Sequence, residues 1–160
     1  MNTATSLTSS ALDWGGSSVA WAHGIAGQAE EGLALIADAL TWVHNAGEYY
    51  YEAELYRFKG ELLLQSEVQR PGSGVGTLAP SLQTLDAEAE ACFRQAITLA
   101  RRQCAASLEL RAGLNLSRLW RQQGKPQPAR QMLAQLYGHF TESFDTIDLR
   151  EAKTLLDTLT

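Results

Sequence analysis

The stretch Glu48–Leu64, EYYYEAELYRFKGELLL, limits what this chain can fold into more than any other. Placed on a helix, Glu54, Arg57, Glu61 and Gln65 recur at spacings of three and four and share one narrow polar stripe. Nearly everything else is large and apolar, with Tyr49, Ala53, Tyr56, Gly60 and Leu63 on one side and Tyr51, Leu55, Phe58 and Leu62 on another. A helix on a two-layer surface needs only one apolar stripe, so this pattern predicts burial on most of the circumference, with packed neighbours on both sides. Gly60 costs about 1 kcal/mol relative to Ala in mid-helix. The cost is understandable if another backbone crosses closely there, where a Cβ would stand in the way. Stacked helical repeats are the simplest architecture with such sandwiched helices.

The rest of the chain follows this lead. Residues 1–18 are rich in Ser, Thr and Gly, and residues 1–24 are expected to be a flexible or partly helical lead-in. Gln28–Ala46 reads as a helix, with Leu33, Ile36, Ala37, Leu40 and Val43 at helical spacing and Gly47 as its stop. The Glu48–Val68 helix comes next. Residues 69–83, rich in Gly and Pro, read as an inserted loop. GSGVGT within it lacks the Gly-Lys-Ser/Thr end of a phosphate loop, and no strand precedes it, so it reads as a linker and no cofactor is expected.

Thr84–Gln103, Ala105–Gln123 and Gln127–Tyr137 read as three further helices, with Gly124 between the last two and Pro126 and Pro128 starting the third. Gly138–Phe144 reads as a bend carrying aromatic residues. Residues 145–159 form a C-terminal capping helix, with Asp145 or Thr146 as its N-cap. No stretch reads as a strand. The fold class is therefore all-α, a right-handed α-solenoid of degenerate helix pairs with about six to seven helices, filling residues 25–160.

Charge is distributed unevenly. Residues 1–90 carry 12 acids and 3 bases, residues 91–130 carry 8 bases and one acid, and residues 131–160 carry 5 acids and 2 bases, which sums to the net −5. The basic middle either complements neighbouring helical layers or presents a docking surface for an acidic partner. The overall acidity argues against nucleic acid as a main partner. No apolar run is long enough to span a bilayer, and the first residues do not read as a signal peptide, so a cytoplasmic setting is expected. Cys92 and Cys104 would lie about 18 Å apart on one helix, too far to pair, and both read as small core residues.

Three segments align: Gly32-x3-Ile36-x2-Ala39, Ala89-x3-Phe93-x2-Ala96 and Ala129-x3-Leu133-x2-Leu136. Each places a small, then a large, then a small or apolar residue at the offsets used by the second helix of a tetratricopeptide pair. The strings AELYRFKGELLL (53–64), AEACFRQAITLARRQ (89–103), SLELRAGLNLSRLWRQQGK (107–125) and FTESFDTIDLREAKTLL (140–156) together resemble the C-terminal helical-repeat region of large bacterial signalling ATPases. Many of that group carry an N-terminal adenylate or guanylate cyclase domain and a P-loop ATPase; others carry a winged-helix DNA-binding domain. The resemblance implies a non-catalytic module serving regulation and protein contacts, whose partner is a protein or peptide and could be the ATPase or cyclase part of a parent protein. The competing reading is a basic-faced accessory domain of a transcriptional regulator that contacts nucleic acid.

Catalytic chemistry finds little support. His23, His44 and His139 are isolated, and Ser107 and Ser117 have no acid–His partners nearby in sequence. The expected working surface is instead a groove between the first helices of two pairs. Tyr50, Glu54, Arg57 and Glu61 form one wall; Arg111, Asn115, Arg118 and Gln122, at spacings of four, three and four, form the other.

Overall fold

The computed structural model describes residues 29–47, 49–68, 79–140 and 146–159. These hold six α-helices and one 3-10 turn: α1 (Ala29–Ala46), the turn Tyr49–Tyr51, α2 (Glu52–Val68), α3 (Ala79–Arg102), α4 (Ala106–Gln122), α5 (Pro126–Gly138) and α6 (Ile147–Thr158). No strand occurs among the described residues, so the all-α class holds. The lead-in 1–24 and the greater part of the 69–83 loop and the 138–144 bend lie outside the described residues.

Each helix packs on the next in sequence, and α2 and α3 make the most extensive interface among the described residues. Beyond these neighbours, α2 and α4, and α4 and α6, bring Cα atoms within 8 Å, whereas α1, α3 and α5 do not approach one another that closely among the described residues. The helices thus form two layers, α2–α4–α6 with close backbone approaches and α1–α3–α5 more widely spaced. Residues at the aligned repeat positions face between the layers. Ile36, Ala89, Phe93, Ala96, Ala129, Leu133 and Leu136 are all buried, while Ala39 is half-buried.

The most enclosed helix is α4, not the Glu48–Val68 stretch. It contacts α2, α3, α5 and α6. Its buried residues include Leu110, Ala112, Gly113, Leu114, Leu116 and Leu119. These split between two cores. Ala112, Leu116 and Leu119 join Phe93, Ala96 and Leu63. Leu110 and Leu114 join Leu133, Leu136, Leu149 and Leu155. Ser117, fully buried on α4, donates its hydroxyl to the Ala129 carbonyl at 3.4 Å and so ties α4 to α5.

Gly60 does mark a close approach, although to a side chain instead of a backbone. A Cβ there would lie 2.5 Å from Cε1 of Phe93, the fully buried ring of α3. A second such socket was not evident from sequence: a Cβ on Gly113 would lie 2.2 Å from Cδ1 of Leu136 on α5. In both helix pairs a glycine of the first helix receives a large side chain of the second.

The element ends carry several corrections. The second helix begins at Glu52, because Tyr49–Tyr51 form the separate 3-10 turn. Tyr49 and Tyr51 are consequently exposed, not part of the apolar sides expected of them. α3 begins at Ala79, inside the predicted loop, with Pro80 in its first turn. A proline is tolerated there because the first backbone N–H groups have no intrahelical acceptor anyway.

Cys104 lies outside the helix and is exposed, so only Cys92 is a core residue; both are free thiols. The α3–α4 and α4–α5 turns share one backbone pattern. Ala105 N–H donates to the Ala100 carbonyl at 2.9 Å, and Lys125 N–H donates to that of Trp120 at 2.8 Å. Gly124 takes the left-handed position of the second turn at φ 72°, and Cys104 takes it in the first at φ 54°. Gly47, the expected stop after α1, is also left-handed at φ 71°. At α6 the cap is Thr146, whose hydroxyl accepts from Leu149 N–H.

Candidate functional site

The polar stripe of α2 and that of α4 do face each other, as the α2–α4 contact requires. They meet directly. Arg57 donates to Glu54 through Nε at 3.0 Å and Nη2 at 2.7 Å, and to Glu61 through Nη1 at 2.7 Å. Glu61 Oε1 also accepts from Asn115 Nδ2 on α4 at 2.7 Å. Asn115 in turn accepts from Arg118 at 3.3 Å. Arg111 closes the other end, with Nη1 lying 3.7 Å from Glu54.

Six of the eight predicted groove residues therefore belong to one network that fills the seam between α2 and α4. Tyr50 and Gln122 stand apart. Tyr50 is 70% exposed on the 3-10 turn, edge-on to Tyr51 with ring centroids 5.0 Å apart. Gln122 is exposed near the end of α4. Neither has a hydrogen bond or ion pair among the described residues.

The network is well shielded at its centre. The Arg57 side chain is only 11% exposed and that of Glu54 15%. The Arg57 guanidinium also lies 4.2 Å from the centroid of the Phe58 ring. Burial by itself would lower the Arg57 pKa. The hydrogen bonds that Arg57 donates to Glu54 and the charges of Glu61, Glu54 and Asp148 outweigh it and hold the guanidinium pKa above its ordinary value. Glu61 is accordingly more than one member of an exposed helical pair, since it anchors two donors from two helices.

Two participants on α6 were missed in the sequence. Asp148 accepts from Arg111 Nε at 2.8 Å, and Glu151 from Arg118 Nη2 at 2.7 Å. Their spacing of three, on the helix that follows the basic segment, was the available signal. The basic middle is in good part internal complement: Arg94 pairs with Glu90, Arg101 with Glu109, Arg111 with Asp148 and Arg118 with Glu151.

Beyond that network lies an open cleft of about 460 Å³ between α4 and α6. Arg118, Arg121, Arg150, Glu151, Ile147 and Leu155 line it. Elsewhere, His44 Nε2 lies 2.9 Å from Oε1 of buried Glu52, holding the end of α1 to the start of α2. Burial, with the charge of Glu88, pushes the Cys92 thiol above its ordinary value of 9.0 against the opposing pull of Lys59. No group of three or more His, Cys, Asp or Glu residues that could hold a metal occurs among the described residues. No described helix is long and apolar enough to cross a membrane.

Comparison with protein-family models, with curated proteins and with solved structures finds no match to this chain.

Proposed function

We propose that this chain is a non-catalytic, tetratricopeptide-like helical-repeat module that works by protein–protein contact, akin to the C-terminal region of a bacterial cyclase or ATPase signalling protein. One observation carries the reading: the duplicated helix pair. Gly60 of α2 receives Phe93 of α3, and Gly113 of α4 receives Leu136 of α5. The pairs then stack with each first helix set against both helices of the pair before it, α4 on α2 and α3, and α6 on α4 and α5. Stacked pairs of this kind present an extended face of first helices, which is where such arrays take up partners. The pairing of four arginines from residues 91–130 with carboxylates of this same chain weakens the nucleic-acid alternative.

The test is binding of the full chain to the purified ATPase region of a cyclase–ATPase signalling protein, alongside duplex DNA, at low and physiological salt. The expected result is saturable protein binding that persists at physiological salt, with DNA binding weak and lost as salt rises. Tight DNA binding with no protein association would overturn the proposal.

A further inference from the structure

We propose that the cleft between α4 and α6 is a docking site for an acidic peptide segment of a partner protein, one that carries an apolar side chain among its carboxylates. This deepens the interaction-module reading and rests on it.

The argument begins with charge. Three arginines line the cleft against one carboxylate. Arg118 is matched by Glu151 at 2.7 Å. Arg121 reaches only the Thr158 hydroxyl, at 3.4 Å. The Arg150 side chain makes no hydrogen bond or ion pair among the described residues, and both of these arginines are exposed. At the neighbouring α2–α4 seam the opposite holds: Glu54 and Glu61 absorb the donors of Arg57, Asn115 and Arg111. Among the described residues the α4–α6 cleft thus holds two arginines of the α2–α4–α6 layer that no carboxylate matches. Two guanidiniums facing one cleft suit carboxylates, which they bind through paired N–H donors.

The second part is apolar. Ile147 on the first turn of α6 is 67% exposed at the cleft, and Leu155 forms part of its floor. An isolated exposed isoleucine is ordinary. One beside two unmatched arginines gives a peptide both a charge contact and an apolar anchor, which a bare polyanion would not use.

The experiment titrates the full chain into a fluorescein-labelled synthetic peptide of repeating Glu-Asp-Leu. One control peptide carries Gln and Asn for the carboxylates, another Ser for Leu, and a labelled DNA duplex is run beside them. The variants are Arg121→Glu, Arg150→Glu, Ile147→Ser and Arg130→Glu, the last an exposed α5 residue outside the cleft. Circular dichroism checks each fold, and Arg150→Gln serves if a reversal unfolds the chain.

The proposal expects the acidic leucine peptide to bind and the amide peptide not to. Arg121→Glu and Arg150→Glu should each weaken binding at least about tenfold, with Arg130→Glu unchanged. Ile147→Ser should weaken only the leucine-bearing peptide. Equal loss from Arg130→Glu, equal binding of the leucine and serine peptides, or preference for DNA would each overturn it. So would self-association of the chain in sedimentation that disappears with Arg150→Glu, since the occupant would then be a second copy. If the chain binds the ATPase region and the cleft variants leave that binding intact, the cleft assignment falls and the module reading stands.

Discussion

Two seams hold the α2–α4–α6 layer together, and they use the same residue types to different ends. At the α2–α4 seam Arg57 is 11% exposed and engages two carboxylates of its own helix, one of which also binds Asn115 across the interface. At the α4–α6 seam Arg118 and Glu151 pair at the same 2.7 Å, yet their side chains are 45% and 47% exposed. Distance is therefore a poor guide to what a pair contributes. The surrounding dielectric decides it, because water weakens the attraction severalfold and also solvates either partner left alone. The first seam is a sealed joint. The second is held mainly by Leu149, Ala152 and Leu155 in the core beneath, which leaves its charged rim free for other work.

Removing the arginine of each seam should give the largest contrast. Arg57→Ala removes three charge-assisted hydrogen bonds, leaves Glu54 only Arg111 at 3.7 Å and Glu61 only Asn115, and takes the cover from Phe58, so a loss of about 3 kcal/mol is expected. Urea denaturation followed by tryptophan fluorescence would measure it. A loss below about 1 kcal/mol would show that the α2–α4 joint is as solvated as its neighbour.

The glycine sockets sharpen the comparison between the two helix pairs. Gly60→Ala brings a methyl against the rigid, fully buried ring of Phe93, and a loss of about 2 kcal/mol is expected from overpacking. Gly113→Ala meets one terminal methyl of Leu136, with the next atom at 3.7 Å. A leucine can change rotamer where a ring cannot, and alanine favours the helix by about 1 kcal/mol over glycine. Gly113→Ala should therefore fall within about 1 kcal/mol of the parent protein. Equal losses at the two sites would mean that the second pair is packed as rigidly as the first.

How much of this was legible in the sequence depends on the range of the interaction. The stripe Glu54, Arg57, Glu61 and the socket at Gly60 were visible because periodicity and one costly residue are local signals. The closing of the groove was not, since the stripe spacing reads the same whether two walls stand apart or touch. Tyr49–Tyr51 were assigned to the helix because three tyrosines extend its apolar pattern. The left-handed Gly47 just before them instead breaks the chain into a separate turn. Pro80 lies in the stretch 69–83 whose Gly and Pro content reads as a loop, although a proline is equally suited to a helix's first turn. Cys104 gave no sign of its left-handed backbone, a position that sequence reasoning assigns to glycine. Gly113 and Asp148 acquire their roles only through partners on other helices, Leu136 and Arg111, that no pattern within one helix reveals.

Alkaline pH separates the two ends of the molecule less strongly. Burial raises the Cys92 thiol above 9.0, and burial with the charge of Glu52 raises Tyr56 above 10.0. Both groups lie at the α2–α3 interface. The unfolded chain loses these protons first, so their contribution is fully present below pH 9.0 and is lost as pH rises through the higher folded values. Stability should therefore hold between pH 7 and 8.5 and decline above about 9, less steeply in Cys92→Ala. An identical decline in that variant would remove Cys92 from the explanation.

The smallest effect is expected at the open seam. Arg118→Ala breaks the 2.7 Å pair with Glu151 and the 3.3 Å contact to Asn115. Water reaches both charges, so neither partner is stranded, and a loss under about 1 kcal/mol is expected. Salt supplies the sharper test. The screening length falls from roughly 10 Å at 0.1 M salt to about 3 Å at 1 M, so an exposed pair weakens as salt rises, while shielded pairs are screened far less. The cost of Arg118→Ala should therefore shrink toward zero between low and high salt, whereas the cost of Arg57→Ala should persist. If both fall together, the Arg57 network is as open to solvent as the α4–α6 rim. If neither falls, Arg118 acts through Asn115 as part of the sealed joint, and the boundary between the two seams lies one helical turn further along α4.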